Sequence, residues 1–149
     1  MQNVKMGIAA TAGLLSLAGC ATVPELSPDE RALIADTWYL ASIIDAQEEI
    51  RLRPQLGDRH TLSFRDDMSM SMQLDCNRGN ADWSADPDSG GMGGLMIGRI
   101  AATRALCPPP TYGERLAAEL PRALSYELGA DGRTLTIRTE DTTFGFEAR

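Results

Sequence analysis

A strict alternation of apolar and polar side chains through the middle of the chain limits what it can fold into more than any other feature. Leu62 and Phe64 alternate with Thr61 and Ser63, Asp66-Asp67 offers a turn, and Met68, Met70, Met72 and Leu74 alternate with Ser69, Ser71 and Gln73. A period of two puts one set of side chains on one face of a strand, so the pattern predicts a hairpin with a buried face. Ala81, Trp83 and Ala85 carry the alternation onward. A methionine stripe also suits a soft metal ion, but at strand spacing methionine reads as core filling. Aromatic residues make up only 5% of the chain, so Leu, Ile, Met and Ala must supply most of the core.

The remaining segments extend this β reading. Ser27-Pro28-Asp29-Glu30 combines a capping box with proline at the first helical position and predicts a short helix to about Ala35. Trp38 to Ala46 reads as a buried strand, and Gln47 to Asp58, charged and containing Pro54 and Gly57, as a loop. Pro87 to Gly91 turns the chain, Gly90 to Gly94 reads as a mobile hairpin tip, and Gly93 to Thr103 supplies another extended run. Thr111-Tyr112-Gly113-Glu114 is a second capping box, followed by Leu116, Leu120, Ala123 and Leu124 at helical spacing, with a kink expected at Pro121. Tyr126 to Phe146 reads as two or three short strands joined by tight turns. The sum is an α+β fold: a strongly curved, mainly antiparallel sheet packed on one main helix in the C-terminal half.

The N-terminus has a different grammar. Lys5 precedes a small, apolar run from Met6 to Ser16, which ends in Leu17-Ala18-Gly19-Cys20. A positive start, an apolar stretch and small residues before a cut site predict a secretory signal over residues 1–19. The run falls short of the roughly 20 apolar residues a membrane span needs. Leu-Ala-Gly-Cys resembles the lipobox of bacterial lipoproteins, which implies lipidation of Cys20 and anchoring through two or more acyl chains. Ala21 in the next position implies, by the same resemblance, sorting to the outer membrane with the domain facing the periplasm. Residues 20–27 then form a lipidated N-terminus and a short tether, and 28–149 a single domain. Ala21 to Leu26 spans at most about 20 Å, which keeps that domain close to the membrane.

Charge and cysteines narrow the function classes. Without Lys5 the chain has only arginines as strong cations, and its 21 acidic residues outnumber them, leaving a net charge near −8. That balance gives no footprint for nucleic acid. With Cys20 given to lipid, Cys76 and Cys107 remain, and an even pair in an oxidising compartment predicts a disulfide. A catalytic thiol needs a base, and the single histidine, His60, lies in a strand pattern. Glu48-Glu49 and Asp66-Asp67 are adjacent acids on expected loops, and no HExxH, CxxC or GxSxG motif accompanies them. The expectation is therefore no enzyme, no cofactor and no metal site.

Three segments in order resemble the META domain family, which includes bacterial heat-shock lipoproteins. They are Thr37-Trp38-Tyr39-Leu40, Cys76-Asn77-Arg78, and Thr103-Arg104-Ala105-Leu106-Cys107-Pro108. The resemblance covers about residues 36–147. It departs at Asp75, where the family commonly has a small residue, often glycine, and at Ala81, where it often has glycine; both bear on the backbone of the turn. The resemblance implies a non-catalytic, membrane-anchored periplasmic lipoprotein that serves envelope stress tolerance by binding or scaffolding an envelope protein. The alternative is a periplasmic inhibitor or small-ligand-binding lipoprotein.

Asn77, Arg78, Thr103 and Arg104 flank the two cysteines, and a disulfide would gather them. Arg78 and Arg104 could then form a cationic recognition site, because arginine's planar fork suits carboxylate or phosphate. Alternatively, Asn77 and Thr103 satisfy turn backbone and the arginines pair with acids such as Asp75 or Asp82.

Overall fold

The computed structural model describes residues 25–149; the expected signal segment, Cys20 and the start of the expected tether lie outside the described residues. A short helix, α1 (Pro28–Ala35), opens the domain, and its capping box is complete: Ser27 accepts from the Glu30 amide while Glu30 accepts from the Ser27 amide. Next come β1 (Trp38–Ile44), β2 (Glu49–Arg51), a single helical turn α2 (Pro54–Gly57), β3 (His60–Phe64), β4 (Ser69–Leu74), β5 (Asn77–Pro87), β6 (Met92–Ile97) and β7 (Ala101–Ala102). Helix α3 (Gly113–Glu119) passes into a 3-10 turn over Leu120–Arg122, and β8 (Ser125–Leu128), β9 (Thr134–Arg138) and β10 (Thr143–Ala148) finish the chain.

Every strand pairing among the described residues is antiparallel. From β1 the order runs β3, β4, β5, β6, β8, β9, β10 and back to β1. The curved sheet thus closes into a barrel, which removes the open edges such a sheet would otherwise carry. The short strands β2 and β7 pair on this ring without being part of its closure. Between Leu40 and Ser42 the β1–β10 register shifts at a bulge. The bulge returns Ile43 to the interior after Trp38 and Leu40, although strict alternation would have placed Ile43 outside.

The interior is the alternating stripe itself. Met70, Met72 and Leu74 of β4 face inward with Leu62 and Phe64 of β3 and Phe144 and Phe146 of β10. Trp83 packs edge-on to Phe64 at 4.9 Å and donates its indole N–H to the Arg65 carbonyl at 3.1 Å. The methionine stripe is therefore core.

Helices cover both ends. Helix α1 lies where β1 begins and β3 finishes, tied by the Trp38 indole donating to the Leu33 carbonyl at 2.9 Å and by the Thr37–Ser63 hydroxyl pair at 3.1 Å. At the opposite end, where β3 begins and β4 finishes, α3 buries Leu116, and the turn after it buries Leu120. A Cβ on Gly113 would stand 2.4 Å from the Leu74 carbonyl oxygen, so only glycine allows this approach.

Several local expectations need correcting. The stretch Gln47–Asp58 contains β2 and α2 rather than a plain loop. Thr111 does not cap α3; the N-cap is Tyr112, with no side-chain cap. Pro121 ends the helix instead of kinking it, because it lacks the N–H that continuation needs. Leu124 consequently leaves the helical stripe and is 58% exposed. Gly93 and Gly94 belong to β6, paired with Pro87 and Asp86, so the hairpin tip is narrower than the glycine run.

Candidate functional site

The corner between β4 and β5 is where the cysteine-flanking residues converge. Asp75 turns it with φ at +63°, a left-handed conformation that aspartate tolerates better than most residues. Cys76 follows and is bonded to Cys107, with the two Cα atoms 5.6 Å apart. The bond pins segment 103–107 along the start of β5.

Asn77 completes that attachment. Its side-chain oxygen accepts from the Ala105 amide at 2.7 Å and the Thr103 hydroxyl at 3.0 Å, while its amide nitrogen donates to the Ala105 carbonyl at 2.9 Å. Thr103 in turn accepts from the Arg78 amide at 3.0 Å, and the Thr103 amide donates to the Arg78 carbonyl at 3.0 Å. The polar atoms of Asn77 and the Thr103 hydroxyl are committed to holding backbone, the structural role open to them.

The arginines behave differently. Asp75 is paired with Arg59, at 2.6 Å from Nε and 2.5 Å from the terminal nitrogen, and not with Arg78 or Arg104. Among the described residues Arg78 and Arg104 make no ion pair, and both are exposed. Arg104 lines a cleft of about 420 Å³ between β7 and α3, together with Leu74, Asn77, Ile100, Ala102, Glu114 and Ala117; Arg78 does not line it. The cysteine bond therefore gathers all four residues at one corner while giving only Arg104 of the two guanidinium groups to the cleft. Glu114 and Ala117 come from α3, and nothing in the local sequence associates that helix with Arg104.

Two buried ionisable groups, Asp75 and His60, sit beside this corner. Burial works against the Asp75 carboxylate, but Thr111 and the Arg59 guanidinium outweigh it and hold the carboxyl below its ordinary value. His60 is fully buried. One ring nitrogen, Nδ1, lies 2.8 Å from the Leu56 carbonyl, and Nε2 accepts from the Tyr112 amide at 3.0 Å. Those partners fit the neutral ring with its proton on Nδ1, and burial pushes the imidazole below its ordinary value of 6.5. His60 thus links β3 to the start of α3. Its strand position gave no hint of that link. A second concavity, of about 350 Å³, lies over the β1 bulge and involves Ser42, Arg51, Gly145 and Arg149.

The chain resembles three solved structures in fold. A DUF4847 family protein from Bacteroides vulgatus has 16% identity and a TM-score of 0.56, covering 80% of this chain and 96% of that one. A protein from Burkholderia xenovorans has 16% identity and a TM-score of 0.53, covering 91% and 98%. A third, solved by NMR, has 22% identity and a TM-score of 0.54, covering 80% and 93%. No curated protein matches the sequence. The META domain family model matches residues 31–148. That span takes in the Trp38 strand, the Cys76-Asn77-Arg78 corner and the Thr103-to-Cys107 segment, and the chain belongs to the META domain family.

Proposed function

We propose that this protein is a lipid-anchored periplasmic lipoprotein whose META domain binds or scaffolds another envelope component and catalyses no reaction. The address rests on Leu17-Ala18-Gly19-Cys20 and on the short tether that follows. Outer-membrane placement rests on Ala21 and the resemblance of the preceding motif to bacterial lipoproteins, and a part in envelope stress tolerance on resemblance to lipoproteins of this family. The bonded Cys76–Cys107 pair supports an oxidising compartment.

One observation carries the binding reading: at the cleft, the Asn77 and Thr103 side chains bond backbone, while the Arg104 guanidinium has no acidic partner among the described residues. A charged fork lining a cleft beside apolar walls suits recognition of an anionic group. Both ring nitrogens of His60 are likewise taken by backbone, which leaves the ring no free site for acid–base work.

Fractionation and capture test the reading. Cys20→Ser should release the protein from the membrane fraction and abolish globomycin-sensitive processing; unchanged membrane retention would refute the anchor. Crosslinking and pulldown from detergent-solubilised envelopes should recover a stoichiometric partner that Arg104→Glu loses. A partner held equally by the variant would remove the cleft from the proposal.

A further inference from the structure

The cleft that holds Arg104 also contains an unused strand edge. Strand β7 pairs with β5 alone. The Thr103 amide donates to the Arg78 carbonyl at 3.0 Å, and Ala101 pairs with Asn80. Alternate residues of an antiparallel ladder point their backbone groups in opposite directions. Ala102, between them, therefore turns its N–H and C=O away from β5, on the side where the cleft separates β7 from α3. Among the described residues nothing in the protein bonds those groups.

The surroundings suit an added strand. A strand laid beside β7 sits about 4.8 Å away, within the roughly 420 Å³ space whose far wall is Gly113, Glu114, Ala117 and Ala118 of α3. Apart from Glu114 these residues are small, so little side-chain bulk stands opposite the strand edge. Residues 101–106 are all exposed, Leu106 to 97%, so an approaching chain meets a ready apolar surface.

Charge selects the occupant. Among the described residues Arg78, Arg99 and Arg104 make no ion pair, and all three lie on β5, on β7 or beside β7. Elsewhere most arginines are paired, among them Arg59 with Asp75, Arg115 with Asp45 and Glu119, Arg122 with Glu140, and Arg138 with Glu127, while Arg53, Arg65 and Arg133, also without an ion pair, are scattered over other elements. A domain whose net charge is strongly negative thus keeps uncompensated guanidinium groups at its free edge. The opposing charge at the cleft is Glu114, on the α3 wall.

We propose that the free edge of β7 accepts an extended acidic polypeptide segment, which adds a strand between β7 and α3 and sets a carboxylate against Arg104. Main-chain bonds supply register and the arginines supply charge selection. This deepens the binding reading above and rests on it.

A random decapeptide display library panned on the full chain, purified in detergent with the disulfide intact, tests the assignment. The selected peptides should be rich in Asp and Glu and alternate with apolar residues. Arg104→Glu should weaken their binding by roughly tenfold or more, and Ala102→Pro, which removes the outward N–H, should weaken it comparably. Glu114→Gln should tighten it by a few-fold. Amide resonances of Ala102 and Arg104 should shift on titration with a selected peptide. Peptides without acidic bias, binding unaffected by both Arg104→Glu and Ala102→Pro, or no selected peptide at all would overturn the proposal. A protein that fails this test but still captures an envelope partner through Arg104 retains the binding reading and loses only the strand edge. Failure of both experiments removes the binding reading itself.

Discussion

Asn77 shows how much one side chain can carry at the cysteine corner. It is buried and bonds the Ala105 amide, the Ala105 carbonyl and the Thr103 hydroxyl. Asn77→Ala leaves those partners unsatisfied and should cost about 2 kcal/mol in urea unfolding. Asn77→Asp keeps an acceptor for the amide but opposes the Ala105 carbonyl, so it should rescue only part of the loss. Asp75 stands where the resemblance leads one to expect a small residue, often glycine, and its positive φ is one that glycine adopts without cost. Arg59 compensates by pairing with the carboxylate that glycine would not have.

His60 makes stability depend on pH at the same scale. Its folded imidazole is held below 6.5, so between the two values the unfolded chain binds the extra proton. Stability should be complete above about pH 6.5 and fall as pH drops below it, until the folded ring also protonates. His60→Gln, whose amide can still donate and accept, should flatten that decline in thermal unfolding followed from pH 8 to pH 5. Asp75 adds a second loss at lower pH. Its carboxyl is held below 3.8, so its contribution is full above that value and disappears as pH falls through the folded value.

Among the elements, α3 decides whether the cleft exists. Gly113 allows it to approach Leu74, and Arg115 ties it to Asp45 and Glu48 beside β2 and to Glu119 on its own next turn. Gly113→Ala should destabilise the domain by about 1–3 kcal/mol through overpacking. Ala118→Ser, on the exposed side of the same helix, should stay within about 0.5 kcal/mol. Chemical denaturation of both variants checks the contrast. The β3–β4 hairpin was legible directly: inward positions Leu62, Phe64, Met70, Met72 and Leu74 are the residues the alternation marks, because period two and burial are one geometric fact. The end of α3 was less legible, since Leu120 and Leu124 continue a helical spacing that Pro121 interrupts. The β1 bulge was not legible at all. An inserted residue is defined by the partner strand's register, which Trp38–Ile44 does not contain.

For the whole molecule, closure of the barrel joins β1 to β10, the first and last strands in chain order. The Cys76–Cys107 bond closes a loop of sequence separation 31 at the start of β5. Reduction, or a Cys76→Ser/Cys107→Ser double replacement, should lower stability by roughly 3–4 kcal/mol in the chain-entropy model. It should also free segment 103–107 and with it the outer edge of β7. Mass spectrometry under non-reducing conditions should find the protein two protons lighter than its reduced form; two free thiols would refute the bond.

What the amino-acid sequence determined by itself is whatever depends on near neighbours along the chain. That includes the alternating strands and the capped first helix. The cysteine count, with Cys20 expected to carry lipid, also anticipated the Cys76–Cys107 pair. The order of those strand and helix patterns was enough to anticipate an α+β fold with a curved antiparallel sheet, and the family motifs are equally local. Only the tertiary structure decided that the sheet closes, that His60 bonds the start of α3, and that Arg104 faces a cleft while Arg78 does not. The reason is physical: each of those outcomes requires a partner distant in sequence, and side-chain periodicity fixes which face a residue presents without naming what will stand opposite it.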